Sequence, residues 1–118
     1  EGVETIHVSG PLFVGAANLL ADLLVQFRIP PKVFILRMRL VPVVDASGIH
    51  ALEALLERCQ RRSIAVIISG LQPQPRRVFG QMHLHPRGDI LHIATDFDSA
   101  LELANALIAG TAREDMPS

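Results

Sequence analysis

The sequence reads Arg37-Met-Arg-Leu-Val-Pro-Val-Val-Asp-Ala-Ser-Gly48 at the point that decides the fold. The four residues before it, 33–36, are all apolar, which is typical of a strand covered on both faces. Pro42 ends that strand, because a proline has no N–H to donate to a neighbouring strand. Asp45 and Ser47 then supply side-chain oxygens where the first turn of a helix exposes unpaired backbone N–H groups. This stretch therefore predicts a buried strand, a polar turn and a helix, in that order.

Strand and helix patterns alternate on both sides of this stretch. Residues 3–9 and 12–14 read as two short strands joined by a turn at Gly10-Pro11, so they predict an antiparallel pair. The remaining predicted strands cover 64–68 and 90–93, and the predicted helices cover 16–27, 49–59, 73–82 and 97–109. We therefore expect an α/β domain, in which a mixed β-sheet with a parallel centre and an antiparallel N-terminal pair is packed by about four helices.

The length of 118 residues is typical of a single domain. We expect that domain to cover 1–110, and the polar tail at 111–118 to be disordered. No apolar run approaches the roughly 18 residues that cross a bilayer, so the isolated domain is expected to be soluble. The chain begins at Glu1 and enters a strand pattern almost at once, which is the appearance of a piece excised from a longer protein.

Composition argues against several classes of function. The net charge is −1 and the chain contains no Trp or Tyr, so nucleic acid is not expected as a partner. Cys59 is the single cysteine and lies on the apolar side of a predicted helix, where it fills the core. Three histidines, His83, His85 and His92, lack the ligand spacing of a metal site. No groups have the spacing of a reactive site either, so we expect no metal, no cofactor and no catalytic residue.

The candidate site is the turn after the buried strand, because partners of parallel sheets tend to meet the loops at the carboxyl ends of strands. The helix that begins there offers N–H groups and the positive end of its dipole, so the turn can hold an anion or carry a phosphate. An alternative interpretation is that Asp45 or Ser47 acts only as an N-cap. The predicted partner- or anion-binding turn consists of Asp45, Ser47, Gly48 and Ile49.

Two other surfaces are candidates for contact with a partner. Ile49 and the pair Leu12-Phe13 are the best candidates for exposed apolar contacts. A basic group could face anionic lipid headgroups, although a solvated helix face is the simpler interpretation; it comprises Arg58, Arg61, Arg62, Arg76 and Arg77.

The order of elements, together with Asp45-Ala-Ser-Gly-Ile-His-Ala-Leu52, resembles the STAS domain shared by anti-sigma-factor antagonists and the sulfate permease (SulP) family of anion transporters. The resemblance spans about 3–109. Two further segments resemble the transporter branch, Gly10-Pro-Leu-Phe-Val-Gly-Ala-Ala17 and Leu36-Arg-Met-Arg-Leu-Val-Pro42. Antagonists more often carry an acidic residue at the position of Arg37.

This resemblance implies a non-catalytic, cytoplasmic carboxyl-terminal domain of a secondary anion transporter, on the cytoplasmic side of the inner membrane. Its expected partners are the membrane domain of the same transporter, a cytoplasmic protein and, in the full-length transporter, a second copy. In the antagonist branch the serine of the signature is phosphorylated, and Ser47 occupies that position. Two alternatives stay open: a free-standing antagonist controlled by serine phosphorylation, and a nucleotide- or anion-binding module at the helix start from Asp45 to Gly48.

Overall fold

The part of the chain that the structure describes contains four strands and three helices, and strands and helices alternate from the second strand onward. The structure is a computed structural model, and it describes residues 2–12, 20, 22, 29–88 and 90–114, with side chains described as far as residue 110. The elements are β1 (Val3–Ser9), β2 (Val33–Leu40), α1 (Ala46–Arg61), β3 (Ala65–Ser69), α2 (Pro73–Gln81), β4 (Leu91–Ala94) and α3 (Phe97–Glu114).

The sheet has the order β1-β2-β3-β4, and all of its neighbouring strands are parallel. The predicted antiparallel N-terminal pair is therefore wrong, because β1 pairs in parallel with β2. After β1 the chain does not fold back: the Gly10 N–H donates to the Leu40 carbonyl at 2.9 Å, and the Leu12 N–H donates to the Val43 carbonyl at 2.9 Å. Leu12 forms a single parallel bridge with Val44. Phe13 lies outside the described residues.

The prediction of about four helices is not supported by the described residues, which contain three. The predicted helix at 16–27 falls outside them apart from Leu20 and Asp22, and Leu20 is buried in the core. The final helix was predicted to end at Gly110, whereas α3 continues to Glu114. A glycine in a helix costs roughly 1 kcal/mol relative to alanine, which a long helix tolerates.

The core lies on both faces of the sheet, as the apolar run of β2 predicts. Along β2 successive side chains alternate between the two faces. Phe34, Leu36 and Met38 join the large cluster that contains the buried side of α1. Val33 and Ile35 join a smaller cluster with α3 on the other face. The helices α1 and α3 therefore cover opposite faces of the sheet, and Cys59 is fully buried in the large cluster, as predicted.

Candidate functional site

The turn that joins β2 to α1 lies at the carboxyl edge of the sheet. Because all four strands are parallel, the chain leaves each of them at this edge. Two other segments reach the turn there, namely the residues after β1 and the beginning of α2. The turn therefore lies at the edge of the sheet where the sequence analysis expected it.

Asp45 is the N-cap of α1. Of the two residues considered as caps in the sequence analysis, Asp45 and Ser47, it is therefore Asp45 that caps the helix. Its carboxylate oxygen Oδ1 accepts a hydrogen bond from the Gly48 N–H at 2.9 Å, with the extended backbone that N-caps adopt. Ser47 is the second residue of the helix and is exposed. Its hydroxyl makes no hydrogen bond with the part of the chain that the structure describes. The capping role thus belongs to Asp45, and the Ser47 hydroxyl is open to solvent.

Replacing Asp45 with alanine is expected to lower the free energy of unfolding by about 1 kcal/mol, because the Gly48 N–H loses its acceptor. Asparagine should retain most of the stability, since its amide oxygen caps helices as well as a carboxylate does. Urea unfolding followed by circular dichroism measures both variants. Equal losses in the two variants would show that the cap is not the role of Asp45.

Gly48 lies directly against the backbone of the segment that follows β1. A Cβ atom at this position would overlap the carbonyl oxygen of Leu12, and it would also approach the Leu12 side chain. The same carbonyl accepts a hydrogen bond from the Asp45 N–H at 3.3 Å. Glycine is therefore required here by the close approach of two backbones.

Ile49 and Leu12 are buried, with exposed fractions of 0% and 2%, so neither side chain can serve as the exposed apolar contact that was predicted. Both pack in the large core cluster instead. The exposed apolar residue at this edge is Leu40, at the end of β2, with 44% of its surface accessible. Pro11 and Pro42 are exposed as well. The exposure of Leu40 was missed in the sequence analysis, because the periodicity of a strand does not show how far the helix that covers it extends.

Two glutamines at the start of α2 hold the turn, and the sequence reasoning missed both. The Gln74 side chain bonds both backbone groups of Val44: its Oε1 accepts from the Val44 N–H at 2.9 Å, and its Nε2 donates to the Val44 carbonyl at 3.0 Å. Gln72 donates from Nε2 to the Arg39 carbonyl at 2.7 Å. Polar residues at a helix start are common, so nothing local marks these two as contacts with a segment about thirty residues away.

The described residues contain no group of three His, Cys, Asp or Glu side chains that could hold a metal ion. His83 and His85 stack edge to face with their centroids 6.0 Å apart, and His92 lies on β4. Burial raises the pKa of the Cys59 thiol to about 11, which keeps it protonated and unreactive. Of the basic residues, Arg76 and Arg77 are exposed on α2. In the described part of the chain, every helix is too short or too polar to cross a bilayer.

Comparison with known proteins gives consistent matches. The family model of the STAS domain matches residues 1–100. Sulfate transporter 1.2 of Arabidopsis thaliana is 30% identical in an alignment of 102 residues, which covers 76% of this chain and 15% of that protein. The chain thus spans about one seventh of the length of this relative.

Two solved structures are similar over most of their length. A sulfate transporter family protein from Wolinella succinogenes is 34% identical, with a TM-score of 0.80 over 92% of this chain and 88% of that chain. The SulP transporter STAS domain from Vibrio cholerae is 26% identical, with a TM-score of 0.74 over 92% of this chain and 85% of that chain.

Proposed function

The chain belongs to the STAS domain family, in the branch of the SulP sulfate transporters, and from this membership we propose that it is the cytoplasmic carboxyl-terminal regulatory domain of a secondary anion transporter. It acts through contacts with other proteins and catalyses no reaction. Its partners are the membrane domain of the same transporter and a cytoplasmic protein, and a second copy is a further candidate. The anion is selected in the membrane domain.

The observation that supports this proposal most directly is the exposure of Ser47 at the carboxyl edge of the sheet, an edge that also exposes apolar side chains. Ser47 projects from the first turn of α1, while Asp45 supplies the cap that the helix needs. Leu40, Pro11 and Pro42 are exposed around the same edge, and the chain after β1 is hydrogen-bonded to this edge through Leu40 and Val43. Together Ser47, Leu40, Pro11 and Pro42 form what we call the Ser47 surface, and its combination of exposed apolar groups with a modifiable hydroxyl suits a protein contact.

We propose that phosphorylation of Ser47 switches this contact. A phosphate adds a charge of about −1.5 to −2 at the positive end of the α1 dipole, which tolerates it. The Asp45 carboxylate two residues away repels it. The attraction by the helix dipole and the repulsion by Asp45 oppose each other. We therefore expect phosphorylation to leave the fold intact while it changes the charge of the surface around Ser47. A partner that buries Leu40 would then have to desolvate the phosphate as well.

Sulfate uptake by the full-length transporter tests this function. Ser47→Glu should change the uptake rate by at least about fivefold, which corresponds to a coupling energy at the low end of the usual range for regulation. Ser47→Ala should behave as the unphosphorylated wild type. Leu40→Ser tests the apolar surface without altering the switch and should change uptake in the same direction as Ser47→Glu.

Ser99→Glu is the matched control, because Ser99 is an exposed serine in the first turn of α3 behind its own aspartate cap. It should leave uptake unchanged. Membrane levels of all variants are measured by blotting. If uptake by Ser47→Glu and by Leu40→Ser both match the wild type at equal membrane levels, the regulatory surface is not at this edge.

A further inference from the structure

A second feature of the carboxyl edge lies on the opposite face of the sheet from α1. A cleft of about 550 Å³ opens there between the beginnings of α2 and α3. Ser69 and the half-buried Arg37 form its inner end, and the exposed Arg39, Asp96 and Asp98 lie at its rim. None of these residues belongs to the Ser47 surface.

Ser69 is the buried polar residue of this cleft. It is the last residue of β3, it lies next to Arg37 in the strand register, and 2% of its surface is accessible. Side chains alternate along a strand, and Ile67 packs on the α3 face, so Ser69 points to the same face. Its hydroxyl has no hydrogen-bond partner among the described residues, although it lines the cleft. The hydroxyl is therefore available to donate to a ligand atom in the cleft.

Arg37 is held with its donors available. Its guanidinium carbon lies 4.1 Å from the centroid of the Phe97 ring, so the aromatic face supports the guanidinium plane. Stacking of this kind leaves the N–H groups in the plane free to donate. In the described part of the chain, neither Arg37 nor Arg39 forms an ion pair with the carboxylates at the rim. The inner end of the cleft thus carries a guanidinium group that forms no ion pair with the described carboxylates.

Neither carboxylate at the rim, Asp96 or Asp98, forms an ion pair with the arginines of the cleft. Asp96 caps α3, where its Oδ1 accepts from the Ser99 N–H at 2.7 Å. This hydrogen bond lowers the pKa of Asp96. Asp98 is exposed in the first turn of α3, where water screens its charge. Both carboxylates belong to the exposed rim, whereas Arg37 and Ser69 lie deeper, where charges are screened less.

We propose that this cleft binds a small tetrahedral oxyanion of the sulfate and phosphate class. The Arg37 guanidinium donates two parallel hydrogen bonds to two of its oxygens, as guanidinium groups do to such anions. Ser69 donates its hydroxyl proton to a third oxygen, and Arg39 supplies a second positive charge at the entrance. This site is separate from the Ser47 surface, so it stands or falls independently of the proposed regulatory function.

Titration calorimetry and NMR of the ¹⁵N-labelled chain test the site, with sodium sulfate and sodium phosphate as probes and sodium chloride at equal ionic strength as the reference. Saturable binding with a Kd in the millimolar range or tighter is expected, since few groups contact the anion. The amide signals of Ser69 and Phe97 should shift with sulfate. Signals of 46–48 shifting instead would place the anion at α1 and overturn the proposal, as would absence of binding at about 50 mM, well above that range.

Variants separate binding from folding. Arg37→Gln should weaken sulfate binding at least about tenfold, and Ser69→Ala about threefold to tenfold, as expected for hydrogen bonds to an anion. Arg37→Lys keeps the charge but loses the paired geometry, so it should lie between Arg37→Gln and the wild type. Ser69→Ala should unfold at about the same temperature as the wild type, because it removes no hydrogen bond within the described residues. If Ser69→Ala instead unfolds at a lower temperature and still binds sulfate as the wild type does, the role of Ser69 is purely structural.

Arg76→Gln is the matched control for charge. Arg76 is an exposed arginine of α2 outside the cleft, so this variant loses the same charge without touching the site. Its affinity for sulfate should equal that of the wild type. An equal loss in Arg76→Gln and Arg37→Gln would show that sulfate responds only to net charge, which would contradict a specific site.

Discussion

Gly48→Ala is expected to destabilise the domain by at least about 3 kcal/mol, a large part of the usual stability of a domain. Helix propensity predicts the opposite sign, because alanine in a helix interior is favoured over glycine by roughly 1 kcal/mol. The added methyl group would meet the Leu12 carbonyl oxygen, which is backbone and cannot rotate away. The segment after β1 would have to move off α1, with loss of the hydrogen bond from Asp45 to Leu12. Urea unfolding followed by circular dichroism measures the change.

Gly80→Ala is the matched control, because Gly80 is also a helical glycine and a Cβ atom there meets nothing within 4 Å. It should stabilise the domain by about 0.5 to 1 kcal/mol. The two identical substitutions are thus expected to act in opposite directions. If Gly48→Ala proves as stable as Gly80→Ala, the backbones of Gly48 and Leu12 do not approach as closely as the structure has them.

Gln74→Leu is expected to lower the free energy of unfolding by about 2 to 5 kcal/mol, since it leaves two buried polar groups without partners. The groups are the N–H and the carbonyl of Val44, a residue with 1% of its surface exposed. Leucine is close to glutamine in size, so the loss reports the hydrogen bonds rather than a cavity. The same urea experiment measures it, and amide hydrogen exchange at Val44 should accelerate in the variant.

Gln81→Leu controls for the change of residue type, because Gln81 is an exposed residue at the end of the same helix. It should change stability by no more than about 0.5 kcal/mol, as surface substitutions generally do. If the two leucine variants are equally stable, Gln74 does not hold the turn in solution.

Local patterns predicted most of the described fold. The apolar run of β2, the cap at Asp45 and the apolar stripe of α1 are signals within short windows of sequence, and the structure contains all three. The wrong prediction at the N-terminus concerned the partner of β1, which was predicted to be residues 12–14 and is β2. Pairing depends on contacts between residues far apart in the chain, and the hairpin interpretation assumed a neighbour in sequence. The burial of Leu12 against α1 carries the chain across the end of β2 instead.

Some residues of the candidate site could likewise be predicted from local patterns, and others could not. The positions of Asp45 and Ser47 followed from capping chemistry and from their place after a buried strand. Gln74 could not be found, because a side-chain amide that bonds a backbone thirty residues away has no local signature. The pairing of Arg37 with Ser69 depends on the register of two strands, which no pattern within either strand reveals.

The corner at which β2 leads into α1 is assembled from three separated parts of the chain: Leu12, the run from Val44 to Gly48, and Gln74. A growing polypeptide therefore cannot complete it until α2 has been synthesised and has docked. An enzyme or partner that recognises the completed corner would meet Ser47 in its native setting only on finished molecules. Nascent and misfolded chains would thereby be excluded from signalling, and recognition would double as a check on maturation.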